Sequence, residues 1–531
     1  MKKKQVNIIG AGMGGLVSGA YLAKKNFKVK IFERLPQIGG CVYSFKRGDY
    51  LFEATTHQLA GIGFKKYLGH VFKILGINDL EYIFMPNIFE AVYFNQDTIY
   101  DKYLLPVQKN SLINVLCNKF PDEKIHIKNY FRLIKNISND LIRIHAIKLS
   151  ENIFPVLYDA ITALMLKKAK NNSIFKEIGK WSYRYMVKYI RKPYKEIIKH
   201  MSPRLQSLLS IFWVYIGMPP EKSSAVHMAL LYHLLSYDHP FLIKGGTKLL
   251  LDKLAGIIKE NDGEIYCRTP VKSVILEHGA AKGIVTEDGK QYFSDVVISN
   301  ISTKVLFNDM VGSDVFPEKT EKKRACKKYI DDINQLKLSF SGFQVYIGLS
   351  LNLNDYGFST ETNFFLPDYD MDNLYKTAGN GPDLTSPFMV TNYTQADSSF
   401  SPPGKTSLVI VEFDNFKRWQ NLNKNEYQKL KQDTQDIILE KFEKCTSIPV
   451  REKAEVLCSA TPRTYQHYMG NTEGEIYGPA CSIDQSLLNR TDAVTPFKNL
   501  YLAGAYTQTS DGISAVISNG AVISNTIVKS Y

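Results

Sequence analysis

Cysteine is scarce in this chain. Its 531 residues hold seven, at positions 41, 117, 267, 326, 445, 458 and 481, and no two form a C-x-x-C pair. That scatter gives no basis for a disulfide framework or a metal site, so no metal is expected, and it fits a reducing, cytoplasmic compartment. Long hydrophobic runs are missing too. None reaches the roughly 18 uninterrupted apolar residues of a membrane-spanning helix. The nearest, Leu208 to Met218, is short and meets Pro219-Pro220. There is no internal repeat, no low-complexity linker, and no Ser-His-Asp, Walker or EF-hand pattern, which leaves hydrolase, kinase and calcium readings without support. Acidic residues fall short of basic ones, 52 against 66, for a formal charge of +14. The rest is ordinary globular composition, 44% hydrophobic and 22% charged, in a length suited to two or three packed domains.

Against that background residues 5–34 stand out: QVNIIGAGMGGLVSGAYLAKKNFKVKIFER. A strand-like run leads into Gly10-x-Gly12-x-x-Gly15, then a helical stretch, then a second strand ending at Glu33. Gly10 permits the tight turn, Gly12 lets backbone amides approach a pyrophosphate, and Gly15 lets the helix press on the sheet. Phosphates then sit at a helix N-terminus, where unpaired N–H groups and the macrodipole favour negative charge. Glu33, about 20 residues on, is placed to accept hydrogen bonds from ribose hydroxyls. Met1-Lys2-Lys3-Lys4 ahead of the apolar run has the look of a secretory leader. Cleavage near Ala23 would destroy the glycine loop, so the run is read as the first strand instead.

Three separated segments read as one α/β, Rossmann-like nucleotide-binding domain: 1–95, 240–310 and 490–531. In the second, Gly245-Gly246 precedes TKLLLDKLAGIIKENDG, with Leu249, Leu250, Leu254, Ile257 and Ile258 expected on one helical face. Alternating Val271, Val274 and Leu276, with turns at His278-Gly279 and Asp288-Gly289, predict a small antiparallel meander that ends in the buried run Val296-Val297-Ile298. The third segment runs from a strand at Leu500 to Ala503 through Gly504 into a final helix from Gly512, with Ile513, Val516, Ile517 and Val522 on its apolar stripe. The remainder, 96–239 and 311–489, reads as a discontinuous mixed α+β substrate domain with strand-like GFQVYIGLS and SLVIVEF.

The positive charge is concentrated. From Ile161 to His200 there are eleven Lys or Arg against Glu177 and Glu196, interleaved with Trp181, Tyr183, Tyr185, Tyr189 and Tyr194. Basic, aromatic helical sequence of this kind suits the surface of an anionic bilayer, so peripheral membrane contact is expected. A solvated helical face is the plainer alternative. No nucleic-acid module accompanies the charge, so a nucleic-acid partner is not expected.

After Glu33 come Arg34-Leu35-Pro36-Gln37-Ile38-Gly39-Gly40-Cys41 and a hairpin-like KRGDYLFEATTHQLAG. With these residues the chain resembles the FAD-dependent phytoene desaturase, carotenoid isomerase and retinol saturase family. Gly39-Gly40-Cys41, Phe52-Glu53 and His57 are similar to the retinol saturase branch. Thr461-Pro462-Arg463-Thr464, Gly470-Asn471 and Gly474-Glu475-Ile476-Tyr477-Gly478 are similar to the saturase and isomerase branches. Leu502-Ala503-Gly504-Ala505 with Asp511-Gly512-Ile513 resembles the family's second flavin motif.

The resemblance implies a GR2-type flavoprotein with FAD held by Gly10, Ala11, Gly12, Met13, Gly14 and Gly15 at the pyrophosphate and Glu33 at the adenosine ribose. It also implies Arg34 beside the adenine, Gly39, Gly40 and Cys41 along the phosphates and ribityl chain, and the Val271 backbone against adenine. Gly504, Gly512 and Ile513 would set a helix N-terminus near the flavin ring. Where many relatives carry Gly-Asp, this chain has Gly504-Ala505, which puts the usual carboxylate contact in doubt. An oxidoreductase acting on carbon–carbon double bonds of an apolar polyene or lipid follows, with saturase, desaturase and cis–trans isomerase directions open. Only one dinucleotide fingerprint is visible, so an external electron donor or acceptor is expected.

His57 is the candidate proton carrier of the site, against the plainer reading of a histidine bonded to backbone. Cys41 has nothing nearby to lower its pKa and reads as a small residue packed beside a cofactor. His227, His233 and His239 are spaced by six, which does not share a helical face, so they read as pocket wall with Asp238 near the entrance. Tyr465, His467 and Tyr477 belong to the family-like segment and either touch the ligands or pack. Two rivals share the architecture: a flavin amine oxidase, which would show an aromatic cage at the flavin, and a non-catalytic lipid-binding protein of the GDP-dissociation-inhibitor type.

Overall fold

The computed structural model describes residues 3–62, 67–95, 98–149, 184–237, 239–312, 321–358, 360–487, 490–508 and 512–531. Much of the basic stretch, 161–183, therefore lies outside the described residues, as do Asp238 and Asp511.

Apolar strands need cover on both faces, and two of them, Gln5–Ile9 and Val296–Ser299, form the middle of a five-stranded parallel sheet. Its order is Leu500–Leu502, Val296–Ser299, Gln5–Ile9, Lys28–Phe32 and Glu264–Tyr266. Val6 lies opposite Val296 and Val29, and Ile8 opposite Ile298 and Ile31, all fully buried. The chain leaves Gln5–Ile9 toward Lys28–Phe32 and later returns on its other side, at Val296–Ser299. That reversal opens a crevice at the carboxyl ends of the strands, where ligands bind in such sheets.

Helices Met13–Lys24, Lys248–Glu260 and Ile513–Ser530 pack around this sheet. The first and last cross at very short range. A Cβ built on Gly520 would lie 2.8 Å from the Gly14 carbonyl oxygen and 3.1 Å from Val17 Cβ. Ser18 Oγ donates to the Gly520 carbonyl at 3.2 Å across the same crossing. In Lys248–Glu260 the buried face is Leu250, Leu251, Leu254, Ala255 and Ile258. Leu249 is 42% exposed, which corrects the expected stripe by one position. Leu251 takes its place because the glycine turn at Gly39 leaves room for it; a Cβ there would sit 2.5 Å from Leu251 Cδ1.

The hairpin Ser44–Arg47 and Tyr50–Glu53 is tied to the start of that helix by one buried carboxylate. Glu53 Oε1 accepts the Thr247 N–H at 2.7 Å and the Ser44 hydroxyl at 2.9 Å. Gly246, at φ 99°, passes so close that a Cβ would meet Ser44 Oγ at 2.7 Å. Val271–Glu277, Ala280–Thr286 and Gln291–Phe293 form the expected meander.

A seven-stranded sheet forms the second layer, in the order Ala454–Ala460, Ser341–Leu349, Thr406–Asp414, Phe388–Asn392, Thr362–Leu366, Asn87–Asn95 and Thr98–Pro106. The boundary drawn at 95 is corrected here: Asn87–Asn95 pairs in parallel with Thr362–Leu366 and belongs to this sheet. Its pattern is apolar on both faces, which sequence alone cannot assign to one sheet or the other. Helix Lys424–Thr446 starts with a capping box between Asn423 and Glu426 and covers the outer face. It is anchored there by a buried ion pair, Lys441 Nζ to Glu412 Oε1 at 2.7 Å. The described helices between 109 and 149 and between 184 and 237 pack on the opposite face around Trp213, Phe212 and Tyr232.

The short crossing at Gly520 yields a prediction. Gly520→Val forces the two helices apart and costs about 1–3 kcal/mol of overpacking, read as a lower urea midpoint. An unchanged midpoint would show that the crossing tolerates separation.

Candidate functional site

A cavity of about 390 Å³ is lined by residues of both sheets. At one end it receives the turns after Gln5–Ile9 and Val296–Ser299 and the start of the terminal helix. Gly12, Met13, Gly14, Gly39, Gly40, Cys41, Gly504, Gly512 and Ile513 all line it. Gly10, Ala11, Gly15, Glu33, Arg34 and Val271 stand behind that surface.

The loop is held from behind. Gly10, at φ 90°, donates its N–H to the Phe32 carbonyl at 2.8 Å. Glu33 is 6% exposed and accepts the Ala11 and Leu35 N–H groups, each at 2.8 Å. These bonds use one lone pair on each carboxylate oxygen and leave the others for further donors. Thr269 donates its N–H to the Glu33 carbonyl at 2.8 Å, which sets Val271 two residues along beside the same acid. The Arg34 guanidinium donates to the His467 carbonyl at the end of helix Pro462–Met469, so it bridges the two layers.

The first turn of Met13–Lys24 has neither a capping side chain nor an acidic residue. The same holds for Ile513–Ser530, which begins at Gly512 with φ 86°. Two helix N-termini without their own counter-charge therefore open on one cavity. Between them projects Asn300, a residue the sequence reading missed. Cβ atoms on Gly12, Gly14 and Gly504 would lie 2.6, 2.5 and 2.7 Å from its side-chain amide, so the cradle admits no side chain at any of the three. Its one sequence signal is its place at the end of the buried run Val296-Val297-Ile298, where this fold puts its ligands. The cradle of bare backbone, unpaired donors and a backing carboxylate fits the phosphates and ribose of a bound nucleotide.

The other end of the cavity is apolar, with Leu230, Leu231, Leu234, Phe364, Leu366 and Met389 on its walls. His57 stands between the two ends. Its Nδ1 is 2.8 Å from Thr391 Oγ1 and its ring lies near-parallel to Tyr215 at 6.4 Å. Desolvation pushes its pKa down to about 4, so the imidazole is neutral at physiological pH. Burial pushes the Cys41 thiol up, which keeps it protonated and unreactive. Tyr465 and Tyr477 line the cavity, and the Tyr477 hydroxyl is committed to the Val214 carbonyl at 2.5 Å.

Two acidic residues also border the cavity, Glu412 with its side chain turned to the outer face of the sheet. Glu412 is engaged by Lys441, and Glu475 accepts the Tyr506 hydroxyl and the Glu473 N–H. Burial raises both above the usual carboxylate range. His227 lines the wall, whereas His233 stacks on Tyr237 at 4.6 Å. Among the described residues no three His, Cys, Asp or Glu side chains come together as a metal site.

The model of the family described as flavin containing amine oxidoreductase matches residues 13–524. The chain belongs to that family. It is thus a flavin-family oxidoreductase, and its relatives fall in the branches its motifs resemble. It is 24% identical to the zebrafish (Danio rerio) all-trans-retinol 13,14-reductase over 94% of this chain and 81% of that one. It is 22% identical to the chloroplastic prolycopene isomerase of Arabidopsis thaliana, covering 98% and 82%. It is 23% identical to a 4,4'-diapophytoene desaturase of a Methylomonas species, covering 99% and 96%. Among solved structures, an oxidoreductase from Methanosarcina mazei has a TM-score of 0.62 at 17% identity, covering 98% of this chain and 99% of that one. A putrescine oxidase bound to putrescine has a TM-score of 0.61 at 14% identity, covering 99% of each. These two establish the shared flavoprotein fold. Among the described residues of this family member, no helix is long and apolar enough to cross a membrane.

Glu33→Ala leaves the Ala11 and Leu35 N–H groups without an acceptor, at about 1–3 kcal/mol for each orphaned donor. The variant is expected to lose flavin during gel filtration, followed by absorbance in the protein peak. A stoichiometric yellow variant would remove Glu33 from the cofactor site.

Proposed function

We propose that this protein is an FAD-dependent oxidoreductase acting on carbon–carbon double bonds of a polyene or other isoprenoid lipid, in the saturase, desaturase or cis–trans isomerase manner. One observation carries the reading: beyond the glycine cradle the cavity is walled by Leu, Phe and Met, and both acidic residues that border it are already engaged. A protonated amine entering there would lose its hydration without gaining a free anion, a cost of several kcal/mol. An apolar chain gains about 25 cal/mol for each Å² it buries. The relatives' names support the same class of substrate.

FAD is the flavin this geometry favours, because Glu33 and the adjoining Val271 strand supply an adenosine subsite that a mononucleotide would leave unused. Gly12, Met13 and Gly14 would hold its diphosphate, and the Gly512–Ile513 helix start would favour negative charge at its ring. When bound, the flavin supplies or removes the two electrons that change the order of a carbon–carbon bond. The protein's part is to hold the apolar chain straight, to exclude water and to manage a proton. With the Thr391 hydroxyl donating to Nδ1, neutral His57 carries its own proton on Nε2.

Two partners complete the proposal. Electrons are exchanged with an external donor or acceptor. The protein is cytoplasmic and touches the bilayer peripherally, where such lipids reside. Arg184, Lys188, Arg191 and Lys199, beside the 47%-exposed Val187, offer cations and an apolar residue for that contact.

The test is chemical. Lipids from cells expressing the protein are expected to gain or lose two hydrogens by mass spectrometry, or to change geometry at constant mass. Purified yellow protein should turn over a polyene alcohol or carotene and ignore amines; turnover of amines alone would replace this reading with that of an amine oxidase. His57→Ala should slow polyene turnover by about 10²–10⁴-fold with flavin content unchanged. Full activity would make His57 a packing residue.

A further inference from the structure

Around His57 three buried side-chain oxygens have no protein hydrogen-bond partner among the described residues, Thr56 Oγ1, Gln58 Oε1 and Glu361 Oε1, and the Thr362 hydroxyl beside them interacts with the Tyr215 phenol. An orphaned buried polar atom costs about 1–3 kcal/mol, so a cluster of them marks a place for ordered water that bonds several at once. The cluster is contiguous with the site. Thr362 is the cross-strand neighbour of Thr391, whose hydroxyl meets His57 at 2.8 Å. Gln58 Nε2 lies 3.5 Å from the Tyr215 hydroxyl, and the Glu361 carboxyl acts electrostatically on that same phenol. Glu361 is 2% exposed, and only one of its oxygens, Oε2, has a side-chain donor, the Thr360 hydroxyl at 3.2 Å.

We propose that Glu361 supplies and recovers the proton that His57 hands to the substrate, through Thr362, Thr391, the Tyr215–Gln58 pair and water held among them. This rests on the double-bond reading above. In the reducing direction the Glu361 O–H bond breaks and leaves a carboxylate. Protons then shift along the hydroxyls and water to His57 Nδ1 while the Nε2 proton forms the new C–H bond. The two electrons and the second hydrogen come from the reduced cofactor, and bulk solvent later reprotonates Glu361. Desaturation runs the same shifts backwards. Glu361 never touches substrate, so it is a positioning residue acting through His57.

The groups facing this cluster are few. They are His57, Tyr215 and Tyr393, whose hydroxyl is committed to the Thr56 carbonyl at 2.6 Å. No Lys or Arg contributes to the Glu361 titration, which burial moves up to about 7. His57, moved down to about 4, cannot itself store a proton at neutral pH. A carboxyl that titrates near neutrality can.

The experiment uses the flavin-loaded protein. Burial also moves Glu53 up to about 7, so difference infrared spectra across a pH titration should show a protonated-carboxyl band lost near pH 7 that is reduced in Glu361→Gln, where Glu53 still contributes, and undiminished in His57→Ala. In reductive turnover the wild type should slow as pH rises through about 7, and in desaturation it should quicken over the same range. Glu361→Gln should be about 10²-fold slower with that inflection gone, and Glu361→Asp should restore it in part. Equal thermal midpoints would show that the near-isosteric Gln variant is folded. An identical infrared titration in wild type and Glu361→Gln, or an unchanged pH profile, would overturn the proposal. The infrared band needs no substrate. If the Glu361-dependent part of it is present while no polyene reacts, the double-bond reading fails and Glu361 stands as a neutral-range acid beside His57.

Discussion

The closeness of two helix N-termini governs the rest of the site. The helices that start at Met13 and Ile513 cross with no side chain between Gly14 and Gly520, and that contact brings both first turns to one cavity. Each N-terminus lacks a capping side chain and an acid, so neither satisfies its own N–H groups. In isolation each would be a destabilised end. Together, with Glu33 behind them, they form an anion cradle whose stability depends on what binds there. The glycines at 12, 14 and 504 serve the same geometry, since the Asn300 amide occupies the space a Cβ would need at any of them.

The second organising fact is where charge is permitted. The Lys441–Glu412 pair lies on the outer face of the seven-stranded sheet, beneath the long helix, and each side chain is 1% exposed. The Glu475 carboxylate is turned to the Tyr506 hydroxyl. With its carboxylates committed elsewhere, the inner face can be walled by Leu, Phe and Met. The same dryness sets the titrations: burial is the leading cause for His57 falling and for Cys41, Glu361 and Glu475 rising. The low dielectric that favours an apolar substrate also decides which groups can carry a proton.

The glycine loop, Glu33 and the terminal Gly512–Ile513 turn were legible in the sequence because backbone requirements leave few residue choices and fixed spacings. The strands Ser341–Leu349 and Thr406–Asp414 were legible from their apolar runs. Asn87–Asn95 was assigned to the wrong sheet because a strand buried on both faces carries no sign of its neighbours. The helix stripe at Leu249 missed by one position because Gly39, about 200 residues away, decides which leucine is received. Asn300, Tyr215 and Glu361 had no motif to announce them. Thr391 meets His57 from a strand paired with Thr362–Leu366, and Tyr215 meets it from the short helix Trp213–Ile216, contacts that exist only in the folded chain.

Ala505 shows how far a motif can be read alone. The resemblance read from the sequence sets Gly-Asp where this chain has Gly504-Ala505, which by itself implies a lost carboxylate contact to the cofactor. In the folded chain the next residue, Tyr506, points its hydroxyl at Glu475, so a buried acid still stands one residue from the second flavin turn. That acid comes from Gly474-Glu475-Ile476-Tyr477-Gly478, a segment distant in sequence. Burial raises this carboxyl above the usual carboxylate range, and the hydrogen bond from the Tyr506 phenol opposes the shift. The two bare helix ends supply the positive potential of the cradle whatever residue stands at 505. The substitution at 505 is thus compatible with the electrostatics of the site.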